Sequence, residues 1–132
     1  MSEVPMISIV DDDALVRDSI RQLIESLGFK AITFSSASHF LASSVVGETT
    51  CLITDLQMAG LNGLELQEAL RSQGYNTPVI LITAYPNEQY RTRAVNGRAV
   101  GFLGKPFDDA SLIKCLTAAI RPSASTEASR RA

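Results

Sequence analysis

The chain of 132 residues is 45% apolar and 20% charged with a net charge of −2, the composition of one ordinary globular domain able to bury a core without staples. The only positive cluster is short and C-terminal, so no basic face argues for nucleic acid, and no apolar run approaches the roughly 18 residues of a membrane span. Cys51 and Cys115 stand in apolar patterns without a CxxC or a nearby His and read as reduced, buried hydrophobes; the N-terminus has no secretory pattern, so a cytoplasmic protein is expected.

Met6 to Val10 reads as a first strand that runs into Asp11, Asp12 and Asp13. Val16, Ile20, Leu23, Ile24 and Leu27 then recur at helical spacing, with Arg17, Asp18, Arg21 and Glu25 on the other side, and Gly28 stops this helix. Phe29 to Phe34 is a second strand. Ser35 or Ser36 caps a helix expected over about Ala37 to Val45, which carries His39, the one histidine, and Gly47 to Thr50 turns into the next strand. Cys51 to Thr54 is short, apolar and β-branched, the pattern of a strand covered on both faces, and it delivers Asp55 to its end ahead of a loop from Leu56 to Gly63. Gly63 to Ser72 is helical. Val79 to Ile82 is a fourth strand ending in Thr83 and Ala84. A more polar helix is expected from Pro86 to Asn96, resting on Tyr90, Ala94 and Val95. Ala99 to Leu103 is a fifth strand leading to Gly104, Lys105 and Pro106, and Leu112, Ile113, Leu116, Ala119 and Ile120 mark a last helix. Residues 121–132, rich in Ser, Ala and Arg, are expected to form a flexible tail or the start of a linker after a domain over 5–120.

Five strands alternating with five helices imply an α/β fold, a doubly wound (βα)5 parallel sheet with helices on both faces. The C-terminal ends of such strands share one edge, the place where ligands bind in open α/β sheets. That edge would carry Asp11 to Asp13, Asp55, Thr83 and Lys105. Each has a bland reading: Asp55 as a loop-opening cap, Thr83 as a strand-edge hydroxyl, Lys105 as a solvated lysine. Their coincidence at successive strand ends favours a common site. Converging carboxylates repel unless a cation neutralises them, and an all-oxygen set suits Mg²⁺, whereas zinc would want Cys or His. A carboxylate beside Mg²⁺ is placed to attack phosphorus, with Lys105 supplying charge, Thr83 a hydrogen bond to a phosphoryl oxygen, and small Ala84 leaving access.

The segments Ile-Val-Asp-Asp-Asp (9–13), Thr-Asp-Leu-Gln-Met-Ala-Gly-Leu-Asn-Gly (54–63), Ile-Thr-Ala (82–84) and Phe-Leu-Gly-Lys-Pro-Phe (102–107) together resemble the receiver domain of two-component response regulators, over about residues 5 to 120. The resemblance implies flavodoxin-like strand order 2-1-3-4-5, for which a receiver is itself a standard example. It implies Asp55 as phosphoacceptor and as a Mg²⁺ ligand itself; Asp11 and Asp12 as the acid pair holding Mg²⁺, Asp12 directly and Asp11 partly through water; and the Gln57 backbone carbonyl as a further ligand. Asp13 falls outside the pair as a solvent-facing or helix-capping acid. Thr83 and Phe102 match the switch hydroxyl and switch aromatic, and Lys105 the lysine before a cis proline, Pro106. Implied partners are a sensor histidine kinase or histidine phosphotransfer protein, and a downstream protein target or detached DNA-binding domain. A phosphorylation-dependent homodimer through the face of helix four, strand five and helix five is also implied. Receivers of this wording often precede a LuxR-type helix-turn-helix domain. The chain departs from the family at Ala59, usually proline; at Gly97, where the family glycine falls one step later; and at Phe102, which lacks a tyrosine hydroxyl. The rival reading is a Mg²⁺-dependent phosphohydrolase of haloacid dehalogenase type, which would need a second Asp where Gln57 stands and a cap for which the chain has no segment.

Overall fold

The computed structural model describes residues 4–58 and 60–120; Ala59 and the expected tail, 121–132, lie outside the described residues. Five strands, β1 (Met6–Val10), β2 (Lys30–Phe34), β3 (Cys51–Asp55), β4 (Val79–Thr83) and β5 (Gly101–Gly104), form one sheet in the order β2-β1-β3-β4-β5, and every neighbouring pair is parallel. Five helices connect and cover them: α1 (Ala14–Ser26), α2 (Ala37–Ala42), α3 (Gly63–Ser72), α4 (Glu88–Asn96) and α5 (Asp109–Ile120).

Alternation along the central strands divides the interior into two cores. Ile7, Ile9, Cys51, Ile53, Ile80 and Ile82 face α1 and α5, meeting Ile20, Ile24, Leu112 and Leu116. Val10, Leu52, Val79 and Leu81 face the other way, toward Phe40 of α2, Leu66 and Leu70 of α3 and Ala94 of α4. With both faces covered, β3 and β4 are buried at every position, which is why their sequences run apolar without a polar alternation.

Local signals set the element ends. Asp13 caps α1 by accepting from the Leu15 backbone N–H, and Gly28 beyond it takes a positive φ of 92°, which an L side chain resists. Asn62 and Glu65 form a reciprocal capping box that starts α3.

β3, β4 and β5 each run one residue further than expected, to Asp55, Thr83 and Gly104, and four other boundaries shift for a visible reason. β2 starts at Lys30, because the Phe29 N–H is still closing the end of α1 on the Ile24 carbonyl. α2 stops at Ala42 because both the backbone N–H and the hydroxyl of Ser43 donate to the Phe40 carbonyl, and a short 3-10 turn, Val46–Glu48, occupies the expected link. α4 starts at Glu88, capped by Asn87, while Pro86 packs over Gly104, where an added Cβ would lie 2.8 Å from Pro86 Cγ. β5 starts at Gly101, since Arg98 and Ala99 still donate to the carbonyls of Val95 and Ala94 and so close α4. Of the contacts expected for α4, Ala94 is buried and Tyr90 half-buried, but Val95 is 65% exposed. Cys51 is fully buried, its thiol pushed up to about 12 by burial and then by Cys115; Cys115 itself is only half-buried.

Candidate functional site

Register alone brings the acids together. Val10 pairs with Thr54, so Asp11 stands level with Asp55, one step past each strand's last common rung. Asp55 pairs with Ile82 and Thr83 with Gly104, placing Thr83 one step beyond Asp55 on β4 and Lys105 one step beyond β5. Backbone hydrogen bonds fix these ends: Leu56 N–H to the Ile82 carbonyl at 2.6 Å, Lys105 N–H to the Thr83 carbonyl at 2.7 Å, and Gly63 N–H back to the Leu56 carbonyl at 2.8 Å. Gly63 must be small, because a Cβ there would sit 2.7 Å from the Asp55 carbonyl oxygen and 2.9 Å from Leu56 Cα.

Asp11, Asp12 and Asp55 each bring a carboxylate oxygen within 4.8 Å of the others. Asp11 and Asp55 are buried, Asp12 is exposed at the mouth, and Asp13 points away as the cap of α1. Lys105 Nζ enters from the far side, 3.2 Å from Asp11 Oδ2 and 3.5 Å from Asp55 Oδ2. The Lys105–Pro106 peptide is cis, as the resemblance implied. Burial, and then the Asp11 charge, push the Asp55 carboxyl above its ordinary range; Lys105 and the Gln57 backbone N–H pull it back only in part. Burial alone would lower the Lys105 ammonium, but Asp11 and then Asp55 outweigh it and the net shift is upward. One ammonium thus answers two buried carboxylates, with a third at the rim. The donors are all hard oxygens, open to solvent on the Asp12 side, and fit a small divalent cation such as Mg²⁺ that keeps some of its waters.

Thr83 is buried, donates its hydroxyl hydrogen to Gln57 Oε1 at 3.3 Å and accepts from the Tyr85 N–H at 3.0 Å. Leu81 pairs with Phe102 and faces the α3 and α4 side; Thr83, two residues on, opens to that same side. Phe102 is half-buried there, with the Arg91 guanidinium 5.0 Å above its ring. His39 is exposed on α2, apart from this constellation.

The sequence reading missed three contributors. Arg17, read as part of a solvated face, donates from Nη1 to the Asp11 carbonyl at 2.7 Å and steadies the acid turn. Buried Gln67 of α3 donates to the Gly97 carbonyl at 2.7 Å and ties down the end of α4. Arg91 covers Phe102. Only Arg17 left a trace, as a cation one helical turn after three acids; the other two are long-range contacts without a local signature.

The family model of the response regulator receiver domain matches residues 7–117. The chain is 37% identical over 112 residues to the transcriptional regulatory protein TdiR of Thauera aromatica, covering 85% of this chain and 49% of that one. It is 36% identical over 124 residues to the transcriptional regulatory protein FixJ of Azorhizobium caulinodans, covering 94% and 59% respectively, so it spans about half the length of the curated relatives it matches. Among solved structures, the response regulator StyR superposes with a TM-score of 0.85 at 34% identity, over 98% of this chain and 65% of that one. The crystal structure of FixJ-N gives 0.81 at 31%, over 92% and 97%.

Proposed function

The chain belongs to the response regulator receiver domain family, and from that premise we propose that Asp55 accepts a phosphoryl group from a phosphohistidine on a sensor kinase or phosphotransfer protein. The observation that carries this reading is the meeting of Asp11, Asp12 and Asp55 within 4.8 Å, with Lys105 Nζ set between the two buried acids. A carboxylate oxygen of Asp55 attacks phosphorus as the N–P bond to the donor imidazole breaks, leaving an acyl phosphate. Asp11, Asp12 and the Gln57 carbonyl would hold Mg²⁺, which when bound supplies charge neutralisation at the phosphoryl oxygens and at the acids. Lys105 pairs with a phosphoryl oxygen in place of the Asp55 charge. Thr83 turns its hydroxyl to another, and Phe102, on the same side of the sheet, moves into the space this vacates, repacking the face of α4 and β5 that partners read.

Loss of the group is a domain's own reaction too: water attacks phosphorus, the bond to Asp55 breaks and the carboxylate returns. Gln57 and Tyr85 flank the site and set access for that water. The working place of such a chain is the cytoplasm, and no helix among the described residues is long and apolar enough to cross a membrane. The output is a protein target, a DNA-binding domain or a second copy meeting the α4, β5 and α5 face. The phosphohydrolase alternative has no support in the family match, and Gln57 stands where it would need a carboxylate.

The test is incubation with Mg²⁺ and a small phosphodonor such as acetyl phosphate, followed by intact-protein and peptide mass spectrometry. One phosphoryl increment on Asp55, absent in Asp55→Asn and without Mg²⁺, is expected. An increment mapping elsewhere, or none, would overturn the assignment. Followed over time, Gln57→Ala and Tyr85→Ala should lose the group at rates different from the parent.

A further inference from the structure

A hydroxyl has one hydrogen to give, and that of Thr83 is given to Gln57 Oε1. Its acceptor capacity is also engaged, by the Tyr85 N–H. The Tyr85 contact is local, made within the turn that follows β4, and depends on no side chain but that of Thr83. The Gln57 contact joins residues 26 apart and exists only because of the side chain at position 57. Gln57 is itself exposed, so its carboxamide could point wholly into water; instead it reaches back across the loop after β3 to a fully buried hydroxyl.

We propose that the Gln57 carboxamide is a positioning residue of the switch, holding the Thr83 hydroxyl in the resting state so that a phosphoryl oxygen on Asp55 must displace it. The inference rests on Asp55 as phosphoacceptor and deepens it by assigning the resting partner of Thr83. The carboxamide competes with the phosphoryl group for a single hydrogen and so sets the resting equilibrium against the active arrangement. Removing it releases Thr83 before any phosphoryl group arrives. A part-buried hydrogen bond of this kind corresponds to about a two- to tenfold effect on an equilibrium.

Two variants at this exposed position separate chemistry from shape: Gln57→Met keeps the length and removes the acceptor, and Gln57→Glu keeps an acceptor at the same reach. The first readout uses metal-free protein, with NMR three-bond couplings to the Thr83 methyl reporting its side-chain rotamer. Gln57→Met should spread the rotamer distribution, and Gln57→Glu should keep it close to that of the parent. The second is affinity for beryllofluoride with Mg²⁺ in the parent, Gln57→Met, Thr83→Ala and the double variant. Gln57→Met should bind about two- to tenfold more tightly in the parent background and show no gain on Thr83→Ala. An unchanged Thr83 rotamer in Gln57→Met, or an equal gain in both backgrounds, overturns the proposal. A parent that fails to bind beryllofluoride would instead count against the phosphoacceptor reading, while the metal-free rotamers still decide whether Gln57 holds Thr83.

Discussion

Burial and the neighbouring Asp11 both oppose ionisation of Asp55, and one lysine shared between two buried acids only partly offsets them. A carboxylate held this way is costly to the fold, which is a reason to expect that its role lies in chemistry. The sign is fixed by linkage. A carboxyl whose folded pKa lies above its unfolded value destabilises the fold at pH above both, and the penalty fades as pH falls through the raised folded value. In metal-free buffer at pH 7, Asp55→Asn should therefore stabilise the chain by about 1 kcal/mol, raising Tm by about 3–5 °C. The gain should shrink on acidification and vanish below the ordinary carboxyl value of 3.8. Thermal melts of both proteins between pH 7 and pH 3 check this; a pH-independent difference would mean that charge is not what Asp55 costs.

The end of α4 shows how an element boundary escapes a sequence reading. Gly97, the residue that resembles a turn glycine, has an ordinary φ; its smallness is needed because a Cβ there would lie 2.8 Å from Gln67 Oε1. The left-handed residue is Arg98, at φ 70°. Arg98, where the resemblance puts the family's glycine, thus takes a conformation that glycine adopts freely. Arginine in that conformation costs about 1 kcal/mol that glycine would not. Arg98→Gly should accordingly raise stability by up to about 1 kcal/mol, whereas Gly97→Ala should lower it by about 1–2 kcal/mol by forcing Gln67 off the Gly97 carbonyl. Urea titration of the two variants checks both signs. The helix and strand cores were legible because period and β-branching are local; the end of α2 was not, because folding back onto the Phe40 carbonyl is only one of the conformations open to Ser43, and the two ends of α4 were not, because Pro86 on Gly104 and Gln67 on Gly97 are distant partners that no window of sequence reveals. The same division holds at the site: Asp11, Asp55, Thr83 and Lys105 were legible as polar residues closing apolar strands, while the hold of Gln57 on Thr83 required the fold.

At the scale of the whole molecule, the sheet places the acid site at the ends of its central strands and the proposed output face at one border. β5 is an edge strand, and α4 lies beside it with Arg91 over Phe102. Val95, one helical turn on from Arg91, shares that side of α4 and is 65% exposed; Val100, just before β5, is 38% exposed. These apolar groups suit a second copy, and if two copies meet there, linkage makes the coupling reciprocal. Whatever factor a phosphoryl mimic adds to the self-association constant, self-association must add to the affinity for the mimic. With the usual coupling of about 1–3 kcal/mol that factor is about 5- to 150-fold. Beryllofluoride affinity, measured with Mg²⁺ at chain concentrations below and above the dimer midpoint found by sedimentation, should therefore rise with concentration in the parent. In Val95→Asp, which puts a charge on the face but leaves the acid site untouched, it should stay at the dilute value. A parent affinity that ignores concentration would mean that the face is read by another protein and not by a second copy of this chain.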